Sequence, residues 1–363
     1  MADWTQARNI LAVRLDTLGD VLMTTPALRA LKVGGPGRRV TLLTSPPGAA
    51  VARLVPELDE VLVYEAPWLK ATPPRASSAP DLEMVAFLRE RGFDAAVIFT
   101  VYSQNPLPSA LLCYLADIPL RLAHCRENPY QLLTDWVREP EPEGGIRHEV
   151  QRQLDLVAAV GAVTPDERLS LGFSTEAAAR VTERLAGLDL TRPWAVIHPG
   201  ATAASRRYPP EYFAEVTRQL TEWGLTLLFT GDGGERELIA AIQQMAGGVG
   251  HSLAGELGLE ELAALIARAP LLISNNTGPA HMAAALGTPV VDLYALTNPQ
   301  HTPWQVPSRV LSHDVECRWC YSSVCRTGHH LCLRGVPPGE VVTAALDLLT
   351  LNPVAPVFVG GAG

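Results

Sequence analysis

The sequence predicts an α/β chain of two doubly wound halves, each built on a parallel sheet covered on both faces. Three observations carry this. Short β-type runs are apolar almost throughout, as in Asn9 to Leu15 (NILAVRL) and Ala95 to Phe99 (AAVIF), and strands buried on both faces read that way. These runs alternate with stretches of helical apolar spacing. The alternation stops near residues 170 to 190 and then restarts. A length of 363 residues also exceeds what one core usually organises, so two domains are expected.

Taken in order, Asn9 to Leu15 is the first strand. Asp20 to Lys32 follows with helical spacing at Val21, Leu22, Ala27, Leu28 and Leu31. Val40 to Leu43, Val61 to Tyr64 and Ala95 to Phe99 are further strands. Residues 66–80, rich in Pro, Ala and Ser, read as a surface loop, and residues 139–145 (EPEPEGG) as a second break. A helix spans His148 to Val160, and another spans Thr175 to Leu188 with Ser174 placed to cap it. After a turn at 189–193, strands are expected at Trp194 to His198, Thr226 to Thr230, Leu271 to Ser274 and Val290 to Tyr294. Helices are expected at Pro210 to Trp223, Glu235 to Met245 and Leu259 to Arg268, with another opening at Gly278. The resulting boundaries are 1–172 for the N-terminal domain, 173–350 for the C-terminal domain and 351–363 for a tail. Two such domains facing each other leave a cleft at the carboxyl ends of their strands, where ligands bind.

Composition narrows the function. Hydrophobic residues make up 47% and charged residues 18%, the balance of a globular protein rather than a disordered one. A net charge of −9 lacks the basic surplus of a general nucleic-acid binder, while leaving room for a local phosphate pocket. No basic segment followed by an apolar one opens the sequence, so no secretory signal is read, and no run of 18 apolar residues suggests a membrane span. The expectation is a cytoplasmic protein, with peripheral contact at the inner face of the membrane left open. Without a secretion signal, the six cysteines are not read as disulfides.

Four segments could carry chemistry. Between the first strand and first helix, Gly19 permits a tight turn and Asp20 opens the helix, where the helix N-terminus favours its anion. A carboxylate there suits a weak general base, although Thr17-x-x-Asp20 also fits a capping pattern. Residues 198–209 (HPGATAASRRYP) combine His198, the small residue Gly200, and Arg206 or Arg207 as a phosphate grip. An exposed loop with two ordinary arginines is the plainer reading. In residues 274–281 (SNNTGPAH) a strand ends and a helix opens with Pro279 near its first position. Free backbone N–H groups there make an anion site, with Asn276, Thr277, Gly278 and His281 around it. At the turn after residue 230, Asp232 or Glu235 could bind a ribose hydroxyl, against the plainer reading of a glycine-rich turn. Separately, Cys317, Cys320, Cys325 and Cys332 are spaced C-x2-C-x4-C-x6-C, which could hold a structural zinc or iron ion or could be reduced packing cysteines.

Together these motifs resemble glycosyltransferase family 9, the family of lipopolysaccharide heptosyltransferases. Arg14 to Lys32 is similar to its opening strand–turn–helix, and Arg147 to Gly161 to its mid-chain helix. Residues 198–209, 229–242 and 273–289 resemble its donor-domain segments, and Cys317 to Leu333 followed by VPPGE resembles its cysteine-bearing C-terminus. The resemblance implies a GT-B fold of two Rossmann-like domains. The N-terminal one would bind the acceptor, and the C-terminal one a nucleotide-diphosphate sugar, ADP-heptose in the best-known members. It implies inversion at the anomeric carbon with no catalytic metal. Asp20 falls on the catalytic aspartate, Arg206 on a donor-phosphate position that is usually Lys, and Thr277, Gly278 and His281 on the diphosphate loop. Asn276 stands where the family usually has Asp, a residue associated with the donor sugar, and Tyr208 stands where it usually has Trp. The expected activity is transfer of a heptose or related sugar to a glycolipid or polysaccharide hydroxyl. A nucleotide-sugar epimerase of GT-B type and a non-catalytic nucleotide-sugar binder are the alternatives.

Overall fold

The structure is a computed structural model and describes residues 3–70 and 72–351. The expected tail beyond residue 351 lies outside the described residues. The chain divides into two compact units, Met1–Gly172 and Phe173–Gly363.

The N-terminal unit carries β1 (Asn9–Arg14), β2 (Arg39–Thr44), β3 (Glu60–Val63), β4 (Ala95–Ile98), β5 (Leu120–Cys125) and β6 (Asp135–Arg138). They form one sheet in the order β3-β2-β1-β4-β5-β6, and each neighbouring pair is parallel. Its helices are α1 (Leu18–Val33), α2 (Pro46–Ala52), α3 (Ala79–Glu90), α4 (Leu107–Leu115) and α5 (Glu149–Ala158). Strand β1 is central and buried from Ile10 through Arg14, which explains its apolar run. Helix α1 packs against α2 and α5, so Val21, Leu22, Met23, Ala27, Leu28 and Leu31 are all buried. Pro26 lies inside α1 and cannot donate to the Leu22 carbonyl. The Thr25 hydroxyl donates there instead, at 2.7 Å, so the helix continues.

The C-terminal unit opens with α6 (Thr175–Arg184), capped as expected by Ser174, whose hydroxyl accepts the Ala177 N–H at 3.1 Å. It carries β7 (Trp194–His198), β8 (Thr226–Phe229), β9 (His251–Ser252), β10 (Leu272–Asn275), β11 (Val290–Leu293) and β12 (Ser308–Leu311), ordered β12-β11-β10-β7-β8-β9, again parallel throughout. Helices α7 (Pro210–Glu222), α8 (Arg236–Met245), α9 (Leu259–Arg268), α10 (Gly278–Leu286), α11 (Leu331–Arg334) and α12 (Pro338–Leu351) complete it. Gly287 closes α10 at φ 76°, the left-handed conformation in which glycine carries no Cβ penalty.

The sequence shows four strands per half, and the structure has six in each. The additions β6, β9 and β12 stand at sheet edges, where burial on both faces is not required, and β9 has two residues. Strand β5 is buried but contains Arg121 and His124. Arg121 donates to the carbonyls of Leu132 (2.8 Å), Gln131 (2.7 Å) and Ile118, which satisfies a cation that breaks the apolar pattern.

Candidate active site

In the N-terminal unit, the end of β1 and the start of α1 build a compact group of charges. Arg14, the last residue of β1, has no exposed surface. Its guanidinium reaches Glu149 at the start of α5 (2.8 Å), Asp16 (2.9 Å) and Asp20 (3.2 Å). Burial works against the Arg14 charge, but Asp16, Glu149 and Asp20 outweigh it and hold the guanidinium more firmly protonated than usual. Burial pushes Asp16 up to about 6, against the pull of Arg14 and of the Gln104 amide, which donates to it at 2.6 Å. Asp20 also accepts from the Thr17 backbone N–H (3.1 Å) and hydroxyl (2.8 Å). The capping pattern is therefore real, and the same carboxylate is also held by a buried arginine. Its side chain keeps 16% exposure, so a small molecule can reach it.

A small cavity of about 160 Å³ lies beside this group, lined by Tyr102, Gln104, His124, Arg126, Glu127 and Glu139 among others. Burial, reinforced by Arg152, pushes His124 down to about 4, so it is neutral at ordinary pH. Gln104 joins the cavity to Asp16.

In the C-terminal unit, β10 ends at Asn275 and α10 opens at Gly278, with Thr277 as the N-cap in extended conformation (φ −145°). At the start of α10 the Gly278 N–H has no partner within the helix, Pro279 has no N–H, and the Ala280 N–H donates to the Thr277 carbonyl (3.1 Å); the dipole adds partial positive charge, so the turn suits an anion. Asn275 ties this turn to the loop after β7. Its amide donates to the Pro199 carbonyl (2.7 Å), and its carbonyl oxygen accepts the Tyr208 N–H (3.0 Å). Of the two arginines on that loop, Arg206 faces the Asn276 carbonyl (3.5 Å), whereas Arg207 folds back onto the Ala201 carbonyl (2.8 Å). The structure thus separates the phosphate candidate from its neighbour. His281 sits in the buried part of α10 at 5% exposure.

The turn after β8 satisfies itself. Asp232 accepts the Gly234 N–H (2.7 Å), and Glu235 accepts the Asp232 N–H (2.9 Å). Glu235 then lies against Gly200, where an added Cβ would stand 1.6 Å from a Glu235 oxygen, so glycine is what permits the approach. His198 contacts the Thr230 hydroxyl (3.1 Å), and burial pushes it down to about 4. Glu235 is in turn pushed upward by burial. A cavity of about 440 Å³ opens beside it, lined by Pro199, Ala204, Arg207, Tyr208, Glu235 and His330 among others, but not by residues 276–281. Tyr208 is 1% exposed. It donates to the Val336 carbonyl (2.8 Å) and packs edge-on to Tyr212 and Phe213, so at this position the aromatic ring serves the core.

The cysteine spacing leaves a structural metal ion and reduced packing cysteines as alternatives. Cys317, Cys320, Cys325 and Cys332 are free thiols, and among the described residues no group of three or more His, Cys, Asp or Glu side chains is placed to hold a metal ion. Cys332 lies in α11 against the core, while Cys317 is exposed, with its sulfur 3.7 Å from His329. The loop braces the site. Trp319 and Tyr321 N–H groups donate to the Leu296 (2.7 Å) and Thr297 (2.8 Å) carbonyls, and Ser205, beside Arg206, donates to the Ser322 (2.7 Å) and Ser323 (3.1 Å) carbonyls.

Sequence reasoning missed Arg14, Asp16 and Glu149 in the first group and Asp292 near the second. Arg14 and Asp292 were visible only as charges inside otherwise apolar strands.

A family model described as glycosyltransferase family 9 (heptosyltransferase) matches residues 83–331. Lipopolysaccharide heptosyltransferase 2 of Escherichia coli (strain K12) is 26% identical over 309 residues, 81% of this chain and 84% of that protein. The crystal structure of the glycosyl transferase family 9 protein from Veillonella parvula DSM 2008 matches with a TM-score of 0.78 at 22% identity, over 96% of this chain and 99% of that one. An E. coli heptosyltransferase solved with ADP-2-deoxy-2-fluoro heptose matches with a TM-score of 0.63 at 21% identity, over 84% of this chain and 93% of that one. The fold, two Rossmann-like units with parallel six-stranded sheets, is GT-B. Since the family match spans well over half of the sequence, this chain belongs to glycosyltransferase family 9, the heptosyltransferase family, and is a glycosyltransferase.

Proposed function

We propose that this glycosyltransferase moves a heptose or related sugar from a nucleoside-diphosphate donor to a hydroxyl of a glycolipid or polysaccharide acceptor, with inversion at the anomeric carbon. The observation that carries this reading is the opening of α10, where Thr277, the Gly278 N–H and Arg206 meet on one turn. That combination suits a diphosphate leaving group, because fixed donors stabilise charge as it develops. The names of the relatives, a lipopolysaccharide heptosyltransferase and a heptosyltransferase holding an ADP-heptose analogue, support heptose and ADP as the donor parts.

In the transfer step the acceptor hydroxyl oxygen attacks the anomeric carbon. Its proton passes to the Asp20 carboxylate, and the bond from the anomeric carbon to phosphate oxygen breaks. Arg14 pairs with Asp20 at 3.2 Å and orients its carboxylate, which suits a weak base for a transition state with strong oxocarbenium character. Glu235, unable to approach so closely if position 200 were not glycine, and Asp232 are the ribose-side candidates, with His198 neutral beside them. The N-terminal cavity, joined to Asp16 through Gln104, is the acceptor-side candidate. No step calls for a catalytic metal. A structural zinc or iron ion would need the four cysteine sulfurs to converge on one point, and elemental analysis of the purified protein tests for it. A lipid-linked acceptor supports a cytoplasmic enzyme working at the inner face of the membrane. Among the described residues, no helix is long and apolar enough to cross a membrane.

The family match favours transfer over epimerisation or simple binding. A thermal-shift titration against a panel of nucleotide sugars tests the proposal. The donor should raise the melting temperature with concentration, as a ligand bound only by the folded state does. A panel in which no nucleotide sugar stabilises the protein would overturn it.

A further inference from the structure

Asn276 departs from the family pattern, and its surroundings account for the departure. The residue is 2% exposed and directly precedes the N-cap of α10. Its amide nitrogen donates to a carboxylate oxygen of Asp292 at 2.9 Å and to the His301 carbonyl at 2.8 Å. An amide NH2 has two hydrogens, and both are used. Both partners are acceptors, so the opposite orientation, with the carbonyl toward them, would set oxygen against oxygen. The side-chain carbonyl oxygen of Asn276 is therefore turned away from this pair, and among the described residues it accepts no hydrogen bond.

Asp292 stands on β11, beside β10, in register with Ser274. It has no exposed surface, and its second oxygen has no hydrogen-bond partner. A buried carboxylate that is not fully satisfied in the stabilising structure is costly and calls for an explanation. Burial pushes it up to about 7, with the Asn276 amide and the Arg206 charge pulling it down. Ionised or protonated on the outer oxygen, it still accepts from Asn276 through the inner one.

We propose that Asp292 is a donor-site positioning residue that locks the Asn276 amide so that the Asn276 carbonyl oxygen accepts a hydrogen bond from a hydroxyl of the donor sugar. Asn276 then offers the polarity that an aspartate there would offer, without its charge. The negative charge is moved one strand away, behind the amide and near Arg206. An aspartate at 276 would set two carboxyl groups face to face in a buried place, where one of them must take up a proton and the directed amide donor is lost. The asparagine and the aspartate explain each other. This assignment rests on the reading of the 276–281 turn as the donor site.

Calorimetric titration of the full chain with ADP-heptose, and with ADP as the sugar-free control, tests it. Asn276→Asp and Asp292→Leu should each weaken ADP-heptose binding about tenfold or more, as loss of a buried hydrogen-bonding partner does. ADP binding should stay within about twofold. The reciprocal double variant, Asn276→Asp with Asp292→Asn, restores one donor facing one carboxylate, although the His301 carbonyl stays without its amide, and should bind ADP-heptose at least about threefold more tightly than Asn276→Asp alone. It conserves volume and so remains readable if a single variant fails to fold. Unchanged ADP-heptose affinity in the single variants, or no recovery in the double one, overturns the assignment. A parent protein that binds ADP but not ADP-heptose overturns it as well. A parent that binds neither removes the donor-site reading itself.

Discussion

The two units end a central strand with the same problem and solve it differently. In the N-terminal unit, β1 ends in the buried cation Arg14, and three carboxylates gather around it. In the C-terminal unit, β11 carries the buried anion Asp292, and what meets it is a neutral amide, with Arg206 acting from outside. The first arrangement meets a buried cation with direct ion pairs. The second lowers the charge by burial and spends its hydrogen bonds on orientation. This contrast suits the two proposed tasks. A proton acceptor such as Asp20 must be an anion, whereas a residue facing sugar hydroxyls needs a directed lone pair.

Matching substitutions at the two arginines should split the units most widely. Arg14→Met leaves Glu149, which is fully buried, without its cation, and breaking such a pair costs about 3–5 kcal/mol. We expect a large fall in the urea midpoint of the N-terminal transition. Arg206→Met should cost less than about 1 kcal/mol, because its side chain is half-buried and its contact to the protein is long, at 3.5 Å. Its effect should appear instead as weaker donor binding. Comparable destabilisation by both would remove the distinction. Next in size, Asp20→Ala should lower turnover by about 100-fold or more with donor affinity nearly unchanged, the signature of a group acting in the transition state. Unchanged kcat would remove the base role.

Much of the scaffold can be read from the sequence, because strands β1, β4, β7 and β11 must be apolar on both faces to lie between helices. The proposed diphosphate turn and the proposed base Asp20 can be read for another reason. Their function depends on neighbours in sequence, such as Thr277 before Gly278 or Thr17 before Asp20. What cannot be read this way is what tertiary packing supplies. Arg14 finds Glu149 135 positions away, and Asn276 finds Asp292 16 positions away. Arg121 in β5 hides a buried strand because its satisfying carbonyls lie in the following loop. A charge inside an apolar strand was the available signal, since such a charge must find a partner when both faces are covered. The cysteine spacing could suggest ligands but not whether their sulfurs converge.

The smallest expected effect is on the pH dependence of stability, and it sharpens the contrast most. Asp292 in the folded chain is pushed up to about 7, and Asp16, drawn back by Arg14, to about 6, both above the ordinary carboxylate value. The folded state therefore binds each proton more tightly than the unfolded chain, and each group loses stability as pH rises from about 4 to its folded value. Buried His198 and His124, both pushed down to about 4, act with the opposite sign. The unfolded chain binds their protons more tightly, so they cost stability as pH falls from about 6.5 to 4. The two trends partly cancel in the parent, which keeps its slope shallow. Replacing one acid uncovers the other trend. Relative to the parent, Asp292→Asn should gain stability as pH rises from about 4 to 7, whereas Asp16→Asn should stop gaining near 6. Urea midpoints measured from pH 4.5 to 8 distinguish the two. Parallel curves for either variant and the parent would mean that its carboxyl titrates alike in the folded and unfolded chain. A common plateau would mean that Arg14 does not set Asp16 apart from the unpaired Asp292.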